Sequence, residues 1–99
     1  MAYRLIVLNA AAEDTSEAYN YYETLKPGLG DQFLEELLER FNEIRKHPRY
    51  YGFIDEQHLI RDVMLKSFPY LVVYEVEDDA VIIYPVHCGY RHPDKRFRK

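Results

Sequence analysis

The most constraining feature of this chain is an amphipathic stretch near its middle. Apolar side chains recur there every three or four residues, at Phe33, Leu34, Leu37, Leu38, Phe41 and Ile44. Charged residues fill the intervening positions, so the two classes fall on opposite faces of a helix with ~3.6 residues per turn. The pattern predicts a helix over 29–46, roughly 27 Å long at ~1.5 Å per residue, whose apolar face must be buried against another element.

A second helical pattern precedes the first and is joined to it by a short break. Helical spacing recurs at Thr15, Ala18, Tyr19, Tyr22 and Leu25. The link KPGLGD then interrupts the period, because Pro27 disfavours helical geometry at Lys26 and the glycines permit a sharp reversal. The brevity of the link predicts an antiparallel helical hairpin.

Four apolar runs predict β-strands. They are YRLIVL at 3–8, HLIRDVML at 58–65, YLVVYEV at 70–76 and AVIIYPVHC at 80–88. The last three are joined closely and predict an antiparallel meander, in which Pro85, with no N–H, must face an unpaired side or a bulge. At 99 residues the chain can close about one core. We therefore expect a single domain over 1–99 with an α+β fold of order β-α-α-β-β-β, a helical hairpin packed on a small antiparallel sheet.

Composition and missing motifs exclude several functional classes. Cys88 is the only cysteine, so no intrachain disulfide can form and a reducing, cytoplasmic location is expected. The first apolar run is too short for a secretory or membrane segment, so no membrane association is expected. Because no Gly-rich phosphate loop, CxxC, HExxH or GxSxG motif occurs, we expect neither a metal site nor a cofactor.

The chain carries a formal charge of −4, yet its C-terminal end is basic. The final stretch HCGYRHPDKRFRK contains one acid, Asp94, against Arg91, Lys95, Arg96, Arg98 and Lys99. In a meander, Arg61 in the middle of one strand could approach His87 or Arg91 near the end of another. Further polar groups near these strands are Lys66, Tyr84, Tyr90 and His92.

Such a metal-free set could bind a phosphodiester by charge and transfer protons through imidazole or phenol. RNA cleavage through an internal 2′-hydroxyl needs little more. The structural alternatives are that Arg61 pairs with Asp62, Glu75 or a helix acid, and that His87 is a structural histidine. The terminal RFRK would then be a solvated tail. Tyr50, Tyr51 and the helical tyrosines would pack, line a rim or furnish a protein-binding surface.

The element order and several phrases resemble the RelE/ParE superfamily of bacterial toxins from toxin–antitoxin modules. AAAEDTSEAYNYYE is similar to the first helix of that family, and GLGDQFLEELLERFNEIRKHPRYY to its Gly-Leu-Gly opening, second helix and closing Pro. IRDVMLKSFPYLVVYEVEDDAVIIYPVHCGYRHPDK is similar to the remaining strands, with VHCGYRHP the most telling block. The resemblance covers nearly the whole chain.

The resemblance implies a toxin of a type II module held inactive by a cognate antitoxin protein, part of which folds along the toxin surface. ParE-like members inhibit DNA gyrase, whereas RelE-like members cleave mRNA on the ribosome without a metal. Carried over residue by residue, the RelE-like catalytic set would be Arg61, His87 and Arg91. The residues expected to contact the target are Lys66, Tyr90, Lys95, Arg96 and Arg98.

The phrases favour the ParE-like branch. The loop before the Arg61 strand, FIDEQH, is acidic where the nucleases are basic, and no tyrosine follows Arg91. Three alternatives remain open at this point. The chain is a gyrase-binding toxin, a ribosome-dependent endoribonuclease, or a homologue that binds an antitoxin and has little toxicity.

Overall fold

The computed structural model of the protein describes residues 2–53 and 59–85. Its elements are β1 (Arg4–Val7), α1 (Asn9–Leu25), α2 (Leu29–Lys46), β2 (Ile60–Met64), β3 (Leu71–Glu77) and β4 (Ala80–Tyr84). The order β-α-α-β-β-β is confirmed. Pro85 directly follows the last paired residue, Tyr84, so its missing N–H leaves no gap in the β4 ladder.

The four strands form one sheet in the order β1-β4-β3-β2. β2 pairs with β3, and β3 with β4, in antiparallel register, which confirms the predicted meander. β1 pairs with β4 in parallel register, so the sheet is mixed and not entirely antiparallel. The helical hairpin separates β1 from the meander in sequence, and no local pattern in β1 encodes the direction of a partner so distant along the chain.

The core lies between the helical hairpin and one face of the sheet. From α2, Phe33, Leu37 and Ile44 are almost completely buried. The sheet contributes Val72, Tyr74, Val81 and Ile83. The ring of Phe33 contacts those of Tyr22, Phe68 and Tyr70 at centroid distances of 5.3, 5.5 and 4.9 Å. Because each large apolar side chain contributes roughly 1.5–3 kcal/mol on burial, this layer supplies most of the stabilisation of the fold.

The link between the helices depends on two glycines with different roles. Gly28 adopts a φ of 89°, in the left-handed region that glycine occupies without a steric penalty. Gly30 lies where α2 meets α1, and a Cβ there would approach the Tyr19 carbonyl oxygen and Glu23 Cγ to 2.7 Å. The Gly30 N–H also donates to Glu23 Oε1 at 2.7 Å. The close approach of the helices therefore requires a residue without a side chain at position 30.

Replacing Gly30 with alanine should lower the free energy of unfolding. The clash with the Tyr19 carbonyl should outweigh the helix-propensity gain of ~1 kcal/mol and leave a net loss of roughly 1–3 kcal/mol. Urea denaturation followed by far-UV circular dichroism measures this. Gly52→Ala is the matched control, because a Cβ at Gly52 meets nothing within 4 Å. Equal stability of the two variants would contradict the packing argument.

The turn between β2 and β3 is fastened to α2 by one carboxylate. Glu36 Oε2 accepts hydrogen bonds from the backbone N–H of Ser67, at 2.9 Å, and from that of Lys66. Partial burial by itself acts to raise the pKa of Glu36, but these N–H groups and the charge of Arg40 outweigh it. The pKa of Glu36 therefore lies below its ordinary value of 4.5.

This lowered pKa predicts a pH-dependent contribution to stability. The contribution is complete above the ordinary glutamate pKa and disappears as pH falls through the lower folded value. Glu36→Gln should therefore cost about 1–2 kcal/mol at neutral pH and progressively less as the pH falls below about 4.5. Urea denaturation at a series of pH values from neutral to below 4.5 measures the difference, with Glu35→Gln at the neighbouring exposed glutamate as control. A cost that does not change with pH would contradict the assignment.

No helix in the two described ranges combines the length and the apolar character needed to cross a membrane.

Candidate functional site

Arg61 lies near the start of β2, on the face of the sheet that the helices cover. It is half-buried and pairs across the ladder with Tyr74. Its Nη1 donates to the carbonyl oxygen of Tyr51 at 2.6 Å and, more weakly, to that of Arg49 at 3.4 Å. Its guanidinium carbon lies 3.8 Å from the ring centroid of Phe53, a cation–π contact. Arg61 therefore joins the edge strand to the segment that follows α2.

The two strand acids proposed as ion-pair partners for Arg61, Asp62 and Glu75, lie on the other side of the sheet. Asp62 follows Arg61 directly, and Glu75 follows its ladder partner, so side-chain alternation directs both away from it. Glu75 instead accepts a hydrogen bond from the Tyr84 hydroxyl. Within the described residues, the guanidinium of Arg61 is held by carbonyl oxygens and an aromatic ring.

The segment 47–53 is fixed to the rest of the molecule at further points. The buried Tyr74 hydroxyl donates to the Pro48 carbonyl oxygen at 2.6 Å. The Tyr51 hydroxyl accepts from Arg40 Nη1 at 3.2 Å and donates to Glu43 Oε1 at 3.3 Å. Burial raises the pKa of Tyr74 well above its ordinary value of 10, against an opposing effect of the Arg61 charge. Tyr74 is therefore a protonated structural donor and not a base.

A shallow pocket of about 200 Å³ lies beside Arg61. Its lining consists of Arg49, Phe53, Leu59, Arg61 and Val76. Two cationic side chains thus share the concavity with three apolar ones, Phe53, Leu59 and Val76. In the described ranges, no group of histidines, cysteines or acids has an arrangement that could hold a metal ion. The chemistry available at this pocket is recognition of negative charge next to an apolar group.

Comparison with known proteins identifies the family. The sequence model of the family described as "ParE toxin of type II toxin-antitoxin system, parDE" matches residues 5–92. The match begins in β1 and extends past β4, through nearly the whole chain. The chain belongs to the ParE toxin family. It is thus a ParE-like toxin of the type II toxin–antitoxin class, as the sequence phrases predicted.

Relatives and solved structures agree with this assignment. The chain is 27% identical over 95 residues to the protein named Toxin ParE2 in two strains of Mycobacterium tuberculosis, covering 95% of this chain and 89% of the relative. It shares its fold with a structure titled "Chromosomal ParDE TA system from P. aeruginosa", with a TM-score of 0.74, 18% identity, and coverage of 86% and 94% of the two chains.

A structure of RelE matches with a lower TM-score. A mutant of E. coli RelE in the free state matches with a TM-score of 0.54 and 22% identity, covering 86% of this chain and 81% of that one. At such identities the two structural likenesses show the fold alone. They confirm the α+β class, with two helices packed on a four-stranded sheet.

Of the remaining predicted site residues of this ParE-family chain, only Lys66 lies within the described residues. Lys66 is exposed in the turn after β2, whereas Arg61 is near the start of that strand, roughly 16 Å away at ~3.3 Å per residue. The structure thus does not bring Lys66 next to Arg61. The other predicted residues lie outside the described residues: His87, Tyr90, Arg91, Lys95, Arg96 and Arg98. Their roles remain predictions.

Sequence reasoning missed the surroundings of Arg61. It assigned no role to Arg49 or Phe53, and it expected Tyr51 to pack, line a rim or furnish a protein-binding surface, whereas the carbonyl and hydroxyl oxygens of Tyr51 both hold the segment in place. One signal was present in the sequence, because cations followed by aromatic residues occur there without an intervening acid, as RKHPRYYGF. No sequence pattern indicates which backbone carbonyl oxygens accept hydrogen bonds from Arg61, because every residue carries the same carbonyl group.

Arg61→Ala should destabilise the protein because it removes the bonds to segment 47–53 and the contact with Phe53. Loss of a charged hydrogen bond and a cation–π contact predicts a decrease of about 2–3 kcal/mol in the free energy of unfolding. Urea denaturation of the purified chain measures it. Arg49→Ala, which removes an exposed arginine from the same pocket, should change stability by less than about 0.5 kcal/mol. If the two variants are equally stable, Arg61 has no structural role.

Proposed function

We propose that this ParE-family toxin stops bacterial growth by binding DNA gyrase in the cytoplasm and is neutralised by a cognate antitoxin protein. The observation that carries the proposal is the family match over residues 5–92, which spans β1, both helices and the meander. The matched P. aeruginosa structure is named as a ParDE system, which supports an antitoxin as partner. The acidic loop FIDEQH agrees with a toxin that binds a protein target.

The geometry of Arg61 favours binding over RNA cleavage. A catalytic arginine must direct its N–H groups to the phosphorane oxygens in the transition state. Here Nη1 is engaged by the Tyr51 carbonyl at 2.6 Å, and the guanidinium stacks on Phe53 at 3.8 Å. An arginine that makes these contacts stabilises the shape of a surface. In this proposal the target is contacted by Lys66, Tyr90, Lys95, Arg96 and Arg98.

Expression of the chain alone should arrest growth, and coexpression with the product of the adjacent short reading frame should restore it. Purified protein should then inhibit supercoiling by DNA gyrase in a dose-dependent way and leave ribosome-bound mRNA intact.

Charge reversal of the C-terminal cations, Lys95→Glu with Arg98→Glu, should weaken gyrase inhibition at least about tenfold if these cations contact the target. Charge reversal at the exposed Lys26, in the link between the helices, is the control.

The competing functions predict different results in the same assays. An endoribonuclease would cleave mRNA, and Arg91→Ala would reduce its rate on the order of 10²-fold or more. Arg61→Ala would do so too, provided that its activity is corrected for the fraction folded. A homologue that only binds an antitoxin would cause no arrest at any expression level. Arrest without gyrase inhibition would overturn the choice of target but not the toxin assignment.

A further inference from the structure

The chain is positively charged from the end of α2 to Phe53, and the acids of the same connection, Asp55 and Glu56, come after Phe53. Residues 44–53, IRKHPRYYGF, contain Arg45 and Lys46 at the end of α2, Arg49 shortly after it, and no acid. Arg45 is engaged in the fold, because its Nε donates to the Tyr3 carbonyl oxygen at 2.8 Å. Lys46 and Arg49 are exposed. Positive charge is therefore presented to solvent at this end of the molecule.

Large apolar side chains are exposed at the same place. Tyr50 is 79% exposed, Phe53 39% and Leu59 54%. Phe53 forms an isolated antiparallel bridge with Arg61, which brings the segment against the edge strand, and Leu59 immediately precedes that strand. We call Arg49, Tyr50, Phe53, Leu59 and Arg61 the loop patch. It combines two guanidinium groups with three large apolar or aromatic side chains, and all of its members except Tyr50 line the 200 Å³ pocket.

The loop patch is preorganised although it lies largely on a connection. The carbonyl oxygens of Pro48 and Tyr51 accept from Tyr74 and Arg61, each at 2.6 Å. The Tyr50 N–H donates to the His47 carbonyl oxygen at 3.1 Å, and the Tyr50 ring packs edge-on against Tyr51 at 5.0 Å. A surface held in this way loses little conformational entropy when a partner binds.

We propose that the loop patch is a docking site for an acidic protein segment that carries a large apolar side chain. The apolar side chain would enter the pocket between Phe53, Leu59 and Val76, and a carboxylate beside it would pair with the exposed Arg49, while the Arg61 guanidinium, held by the Tyr51 carbonyl and Phe53, adds positive charge at the pocket wall. Exposed tyrosine next to arginine is the combination enriched in the energetically dominant part of protein interfaces. Partly desolvated bidentate pairs between arginine and carboxylate add orientation as well as energy.

The charge distribution favours a short acidic segment over nucleic acid. A nucleic acid is an extended polyanion and requires a continuous basic track. On the described surface the loop patch adjoins α2, whose solvent-exposed side carries Glu35, Glu39 and Glu43. An extended polyanion leaving the patch along α2 would meet these carboxylates, whereas a few residues of an acidic peptide fit within the patch. The inference goes beyond the proposed function, because it identifies a surface and holds whether or not gyrase is the target.

The test uses the full-length chain and defined peptide probes. One probe is an equimolar mixture of fluorescein-labelled nonapeptides with a central Leu, Phe, Ile or Tyr and two acidic residues on each side. A second mixture has lysines in place of the acids, and the third probe is a labelled single-stranded oligothymidine. Fluorescence anisotropy measures affinity, and amide chemical shifts of isotope-labelled protein identify the residues contacted. The acidic peptides should bind most tightly and shift resonances of residues 47–53 and 59–61.

Substitutions within the loop patch should then weaken binding of the acidic peptides without unfolding the protein. Tyr50→Ala and Arg49→Glu should each reduce the affinity about tenfold or more. The matched controls lie on the helical hairpin: Tyr21→Ala, at a tyrosine that is 60% exposed, and Lys26→Glu, at an exposed lysine. Both controls should bind like the unsubstituted chain. Circular dichroism and thermal melts verify that all four variants are folded.

Several results would overturn the proposal. They are no measurable binding of the acidic peptides, tighter binding of the oligothymidine, equal loss of affinity in the Tyr21 and Lys26 controls, or chemical shift changes confined to the helical hairpin. None of these results would alter growth arrest or gyrase inhibition by the toxin. Failure of the docking site and failure of the proposed function are therefore distinguishable.

Discussion

Burial of the apolar stripe of α2 against one face of the sheet is the interaction on which the rest of this structure depends. Phe33, Leu37 and Ile44 have almost no exposed surface, and they meet Tyr74 and its neighbours on β3 and β4. Once this stripe is buried, α2 has a fixed direction over the sheet. Its C-terminal end then lies where Arg45 can bond the Tyr3 carbonyl oxygen of the segment before β1. The connection that follows α2 must start from the same place.

That placement explains why the segment after α2 is ordered by side chains of the sheet. Tyr74 packs in the core with its ring, and its hydroxyl satisfies the Pro48 carbonyl. Arg61, one strand further out, satisfies the Tyr51 carbonyl and stacks on Phe53. A buried or half-buried backbone carbonyl without a donor is costly, so these two residues stabilise a connection that has no regular secondary structure. The same contacts hold exposed aromatic and cationic groups in a defined arrangement.

Family membership and the contacts of Arg61 both bear on whether this arginine has a structural or a catalytic role. The family match assigns the chain to the ParE toxins, and in this chain the strand arginine is a structural residue of the pocket wall. A protein that acts by binding needs a rigid, partly apolar surface, and the segment 47–53 provides one. A protein that acts by phosphoryl chemistry needs unengaged N–H groups at the reacting phosphate. The contacts of Arg61 with the Tyr51 carbonyl and the Phe53 ring are of the structural kind, and under the proposed function the chain acts by binding.

The sequence by itself determined which segments form helices and strands and which side of each is buried. The three- and four-residue spacing from Phe33 to Ile44, the break at Pro27 and the β-branched runs are local properties, and local periodicity decides which side of each element is buried. The bounds of α2 and the order of elements follow from them. The family could also be recognised from sequence, since its phrases occur in the same order along the chain.

Only the tertiary structure decided how distant parts of the chain meet. The parallel pairing of β1 with β4 joins residues separated by both helices and two strands, and the acceptors of Arg61 are backbone carbonyls in a segment with no periodicity. The sequence identified Arg61 as a polar residue in an apolar strand but gave no means of choosing between a carboxylate, a phosphate and a carbonyl as its partner. That choice depends on which groups the buried α2 stripe brings within about 3 Å of the guanidinium, and a distance of that kind exists only in the folded chain.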